Sequence, residues 1–134
     1  MKNNKKVLII DDDEELCEEM SEILSDEGYL VFTENDGLQG YLKAQYNRYD
    51  VLLLDLKLPG MKGYDVLKNL KEKSSIMKII VLTGRPLNNK FLPDEITDEF
   101  GEEKILKMAD AVINKPFNIN FVLSMIKNFT YQRI

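Results

Sequence analysis

The sequence predicts an α/β fold: a doubly wound, five-stranded parallel sheet with helices on both faces. Three observations predict it. Short apolar runs alternate with helix-like segments along the whole chain. Runs such as Val7–Ile10, Val51–Leu54 and Ile79–Leu82 are apolar at every position, which suits strands covered on both faces of a parallel sheet. Their ends carry chemistry: Asp11 and Asp12, then Asp55, then Thr83, and after Ala111–Ile113 come Asn114 and Lys115. Ligands of such sheets bind beyond the carboxyl ends of the strands, at the switch point.

The elements follow in order. Residues 6–11 read as a buried strand, and residues 14–27 as a helix with Leu16, Met20, Ile23 and Leu24 on one face. Gly28 ends that helix. Residues 29–34 form a second strand, and Asn35 or Asp36 caps a helix carrying Leu38, Tyr41 and Leu42. Residues 50–55 are the third strand, followed by a turn at Pro59-Gly60 and a helix with Tyr64, Leu67 and Leu70 inward. The fourth strand covers 78–83 and the fifth 110–114. Pro86 and Pro93 discourage helix after the fourth strand, so the fourth helix is placed between 94 and 109. Asn118 caps the last helix, with Phe121, Val122, Met125, Ile126 and Phe129 on its apolar side.

A chain of 134 residues, 44% apolar and 31% charged, suits one soluble domain over 1–134 with no output domain visible. The net charge of −5 argues against direct nucleic-acid binding. No run is long enough for a membrane span or signal peptide. The one cysteine, Cys17, reads as a structural thiol, and cysteine usage suits a reduced, cytoplasmic setting.

There is no histidine. Any metal must therefore be held by oxygen, which points to a hard cation such as Mg²⁺. Asp12 and Asp55 can each give an oxygen, the backbone carbonyl of Lys57 a further one, and Asp11 acts through water or from outside the ligand shell. Burying unpaired carboxylates is costly, and a divalent ion removes that cost. A carboxylate can also accept a phosphoryl group. Lys115 and the Thr83 hydroxyl would then cover oxygens of the transferring group.

With these residues in place, the chain resembles the receiver domain of two-component response regulators. The matching stretches are VLIIDDD at 7–13, LLLDLKLPGMKGYDVL at 52–67, VLTG at 81–84 and NKPF at 114–117. The resemblance implies a flavodoxin-like, receiver-type sheet and a phosphoacceptor at Asp55. It implies a direct Mg²⁺ ligand at Asp12 beside Asp11, a switch hydroxyl at Thr83, a phosphate-contacting Lys115 and a cis Pro116. It also implies a phosphohistidine donor on a sensor histidine kinase or histidine phosphotransfer protein, and a downstream protein partner.

The chain departs from the family in two places. Val112 stands where receivers carry Tyr or Phe, and the stretch from Thr83 to Lys115 is longer than usual. Lys57 and Arg85 lie two residues past Asp55 and Thr83, where long side chains would shield the phosphoryl group from water. Two rival functions frame the reading. An aspartyl-nucleophile phosphatase would want an acid where Lys57 stands. A receiver-like interaction module independent of phosphorylation would not need Asp12, Asp55, Thr83 and Lys115 together.

Overall fold

The computed structural model describes residues 4–73, 76–84 and 99–131. Among these residues five strands alternate with five helices. They are β1 (Lys6–Ile10), α1 (Glu14–Asp26), β2 (Leu30–Glu34), α2 (Gly37–Tyr46), β3 (Val51–Asp55), α3 (Gly63–Lys73), β4 (Lys78–Thr83), α4 (Glu99–Leu106), β5 (Ala111–Asn114) and α5 (Ile119–Thr130). All strand pairs are parallel, in the order β2-β1-β3-β4-β5. The chain turns from one side of β1 to the other between β2 and β3. The carboxyl ends of β1 and β3 therefore flank the switch point, where open α/β sheets bind ligands.

The pleat sorts the core into two halves, because successive strand residues face opposite sides. Val7, Ile9, Val51, Leu53, Ile80 and Leu82 pack with Met20, Leu24, Val122 and Ile126 of α1 and α5. Leu8, Ile10, Leu52, Leu54, Ile79 and Val81 pack with Ala44, Val66, Leu67 and Leu70 of α2 and α3. This is why the central strands read as unbroken apolar runs: both faces are dry. β2 is an edge strand, and its Leu30 and Phe32 stay partly open to solvent.

Local chemistry sets the helix ends. The Asp13 side chain accepts the Leu16 N–H at 3.1 Å, and Glu14 and Glu15 in the first turn of α1 complement its dipole. Gly28 takes φ +94° just after α1, a conformation that favours glycine. Asp36, rather than Asn35, caps α2.

Two expected inward residues face out. Leu38 is 47% exposed and Phe121 is 57% exposed. The inward side of α2 is made of Gly37, Gly40 and Ala44, and a side chain at Gly40 would meet Ile10 Cδ1 at 2.6 Å. In α5 the inward stripe is Val122, Leu123 and Ile126. Tyr64 is half-buried, while Val66 takes a fully inward place in α3. α4 lies within the expected 94–109 window, and Arg85, Pro86 and Pro93 lie outside the described residues.

Candidate functional site

The ends of β1, β3, β4 and β5 are neighbours in the sheet, so their polar residues meet at one rim. Asp11 follows the last residue of β1, and its N–H extends the ladder to the Glu34 carbonyl at 3.0 Å. Its side chain is 0% exposed. Asp11 Oδ1 accepts the Asp13 N–H at 2.9 Å, and Oδ2 accepts Lys115 Nζ at 2.8 Å. Asp55 ends β3 and is 4% exposed. Its Oδ1 accepts the Lys57 N–H at 3.2 Å, and its Oδ2 lies 3.6 Å from Lys115 Nζ. Asp12 is exposed at the mouth. Oxygens of Asp11, Asp12 and Asp55 lie within 4.8 Å of one another.

Thr83 ends β4 and is buried. Its carbonyl accepts the Lys115 N–H at 2.7 Å, which carries the β4–β5 pairing one step past Thr83 and Asn114. The backbone therefore fixes Lys115 beside Thr83. The Lys115–Pro116 peptide is cis. On the other side, Gly60 at φ +79° turns the chain after β3, and the Gly63 N–H donates to the Leu56 carbonyl at 3.2 Å. The segment leaving Asp55 is thus folded back under the site.

The electrostatics follow from this crowding. Burial, and next the Asp11 charge, push the Asp55 carboxyl up to about 6. Burial opposes the charge on Lys115, but its bond to the Asp11 carboxylate and the charge of Asp55 outweigh that, and the ammonium titrates above the usual lysine range. Among the described residues three carboxylates face a single ammonium, and the donor set is oxygen only. That composition fits a hard divalent cation, and the exposed Asp12 leaves it a way in.

Sequence reasoning placed Asp11, Asp12, Asp55, Lys57, Thr83 and Lys115 at this rim, and the structure brings their backbones together there. It did not find the Lys115–Asp11 ion pair, which joins residues 104 apart, nor Asn35, whose Nδ2 donates to the Asp11 main-chain carbonyl at 2.8 Å. Neither has a local sequence signal. Cys17 is buried against the same carbonyl, and burial, then the charges of Asp11 and Asp13, push its thiol up to about 11. That is an inert, structural thiol. Val112 is half-buried and packs against the core half that holds Leu54, Leu67 and Val81.

Known proteins are similar to this chain in sequence and fold. Residues 7–127 match the response regulator receiver domain family. Sporulation initiation phosphotransferase F of Bacillus subtilis is 36% identical over 131 residues, which is 94% of this chain and 94% of that protein. The alkaline phosphatase synthesis transcriptional regulatory protein PhoP of Bacillus subtilis is 30% identical over 92% of this chain but only 48% of its own length. The chain spans about half the length of several curated relatives it matches. Among solved structures, a CheY-like receiver domain protein from Methanospirillum hungatei has a TM-score of 0.80 at 29% identity, covering 96% of this chain and 94% of that one. TrrA of Thermotoga maritima, solved in complex with Mg²⁺-BeF, has a TM-score of 0.76 at 27% identity, covering 93% and 98%. With a matching family model, a shared sheet and an acid cluster in the expected place, this chain belongs to the receiver domains of two-component response regulators, a family of signalling switches.

Proposed function

We propose that this receiver accepts a phosphoryl group on Asp55 from a phosphohistidine of a sensor histidine kinase or histidine phosphotransfer protein, with Mg²⁺ held at the acid cluster. The observation that carries the reading is the position of Lys115 Nζ, 2.8 Å from Asp11 and 3.6 Å from Asp55. One ammonium thus stands against both buried carboxylates, where charge on a phosphoryl group would gather. Asp55 needs no general base: with its carboxyl at about 6 it is mostly ionised at neutral pH. Its oxygen forms the new O–P bond as the donor's N–P bond breaks. The bonding pair returns to the imidazole, which leaves neutral when its other nitrogen carries a proton. Lys115 binds one phosphoryl oxygen, and Thr83, with nearby main-chain N–H groups, binds another.

Asp12 and Asp55 would hold Mg²⁺ directly, the Lys57 carbonyl would add a ligand, and Asp11 would act through water. When bound, the ion supplies positive charge that relieves the repulsion among the carboxylates and complements the transferred group. The contact of Thr83 with the new phosphoryl group then biases the β4–β5 segment, and a downstream protein reads the change. We read residues 1–134 as one receiver unit that works in the cytoplasm and makes no direct contact with nucleic acid. Among the described residues no helix is long and apolar enough to cross a membrane. The assembled carboxylates and ammonium do not favour a phosphate-independent module, which would have no use for their surplus charge.

The test is to incubate the protein with a small phosphoryl donor such as phosphoramidate and Mg²⁺, then weigh it intact. A gain of one phosphoryl group, lost in Asp55→Ala and on chelation, supports the reading. No gain in the wild type, or a gain kept by Asp55→Ala, overturns it.

A further inference from the structure

We infer that Asn35 is a positioning residue for the acid cluster: its side-chain amide replaces a missing rung of the sheet and so sets the Asp11–Asp12 pair for its cation. The β1–β2 ladder ends at Ile10 opposite Glu34, and the Asp11 N–H continues it onto the Glu34 carbonyl at 3.0 Å. In a parallel ladder the next bond would run from the main-chain N–H of residue 36 to the Asp11 carbonyl. Asp36 has turned away to cap α2, accepting the Gln39 N–H at 3.0 Å. Asn35 Nδ2 takes the empty place, 2.8 Å from the Asp11 carbonyl oxygen. A carbonyl only accepts, so the amide nitrogen must face it.

The consequence reaches both acids. The Asp11 carbonyl belongs to the peptide plane that joins Asp11 to Asp12. Holding that plane fixes the direction in which each side chain leaves the backbone. The Asp11 carboxylate is then set to receive the Asp13 N–H and Lys115 Nζ, while Asp12 is set at the mouth. The other side-chain partner of this carbonyl among the described residues is Cys17 Sγ, at 3.5 Å. A thiol is a weak donor. Without Asn35 the plane is held from this side by that thiol alone. Asn35 does not touch the cation; it acts through the backbone.

The inference rests on the reading of the cluster as a Mg²⁺ site, and the test separates the two. Mg²⁺ alone, without a phosphoryl donor, is titrated by calorimetry into the wild type, Asn35→Ala, Asn35→Gln and Asp12→Ala. Asn35→Ala is expected to bind roughly ten-fold more weakly, at the low end for loss of a partner that orients a metal site. Asn35→Gln, which keeps the amide, recovers most of the affinity. Phosphorylation of Asn35→Ala slows at limiting Mg²⁺ and returns toward the wild-type rate at saturating Mg²⁺. In the metal-free protein the Asp13 amide exchanges faster in Asn35→Ala, while the thermal midpoint stays close to that of the wild type. A purely structural role would lower the midpoint and give no Mg²⁺-dependent split. Unchanged Mg²⁺ affinity in Asn35→Ala, or no recovery in Asn35→Gln, overturns the inference. Wild-type affinity in Asp12→Ala overturns the cluster reading instead, and the Asp13 exchange then still decides whether Asn35 holds the carbonyl.

Discussion

The two rims of the sheet use the same residue types to opposite ends. At the amino-terminal rim the acids are taken up by bonds within the fold. Asp50 Oδ2 accepts the Lys6 N–H at 2.8 Å. Asp110 Oδ2 accepts Lys71 Nζ at 2.6 Å and the Ile79 N–H at 2.7 Å, with Lys78 Nζ at 3.8 Å from Oδ1. One carboxylate thus meets two ammonium groups and ties α3, β4 and the start of β5 together. At the carboxyl-terminal rim Asp11, Asp12 and Asp55 share Lys115. Charge neutralised on the spot staples a fold; charge left in surplus is a capacity to bind. On the function proposed above, the difference separates structural from functional acids in one molecule.

Exchanging a single acid at each rim gives the sharpest contrast. Asp55→Asn is expected to abolish phosphoryl uptake, whereas Asp110→Asn keeps it, as intact mass after treatment with the donor will show. Asp110→Ala should instead destabilise the fold by about 2 kcal/mol, because it leaves the Ile79 N–H and the Lys71 ammonium without their shared acceptor. Urea unfolding reads that loss, and Mg²⁺ affinity should not move. Loss of Mg²⁺ binding in Asp110→Ala would erase the distinction between the rims.

The surplus charge also has a pH signature. The Asp55 carboxyl titrates at about 6 in the fold against an ordinary 3.8. The folded state therefore holds this proton more tightly, and the stability it contributes is complete below 3.8 and lost as pH rises to about 6. Without metal, Asp55→Asn should gain stability over the wild type across that window, on the order of 2 kcal/mol by neutral pH. Saturating Mg²⁺ should shrink the gain, since binding to the folded state stabilises the wild type. A difference independent of pH would contradict the crowding of Asp55. The smallest effect concerns Cys17. With its thiol near 11 and buried, alkylation at mild alkaline pH should be slow in the native protein and fast in denaturant. Rapid native labelling would show that the wall beside Asp11 is open.

The strands and the acids were legible in the sequence for one physical reason. A parallel sheet is dry on both faces, so its central strands write unbroken apolar runs, and a carboxylate after such a run stands out. What escaped were features with no apolar signature or no local partner. The inward face of α2 is Gly37, Gly40 and Ala44, and glycines do not register as apolar, so the pattern assigned Leu38 inward. In α5 the apolar residues exceed one face, and the packing against the sheet chose Leu123 over Phe121. Lys115 was legible as a member of this rim but not as the partner of Asp11, because the fold brings the two together across the sheet. Asn35 looked like a possible helix cap. Its bond to the Asp11 carbonyl becomes visible only when the ladder is traced to its end.

The most direct measurement is to locate the phosphoryl group chemically. Treatment with a phosphoryl donor and Mg²⁺, followed by borohydride, reduces an aspartyl phosphate to homoserine, which peptide mass mapping assigns to a position. Conversion at position 55 alone is the expected result. Conversion at 11 or 12, or an unmodified map from protein that had gained the phosphoryl mass, would contradict the placement of the reaction at the end of β3.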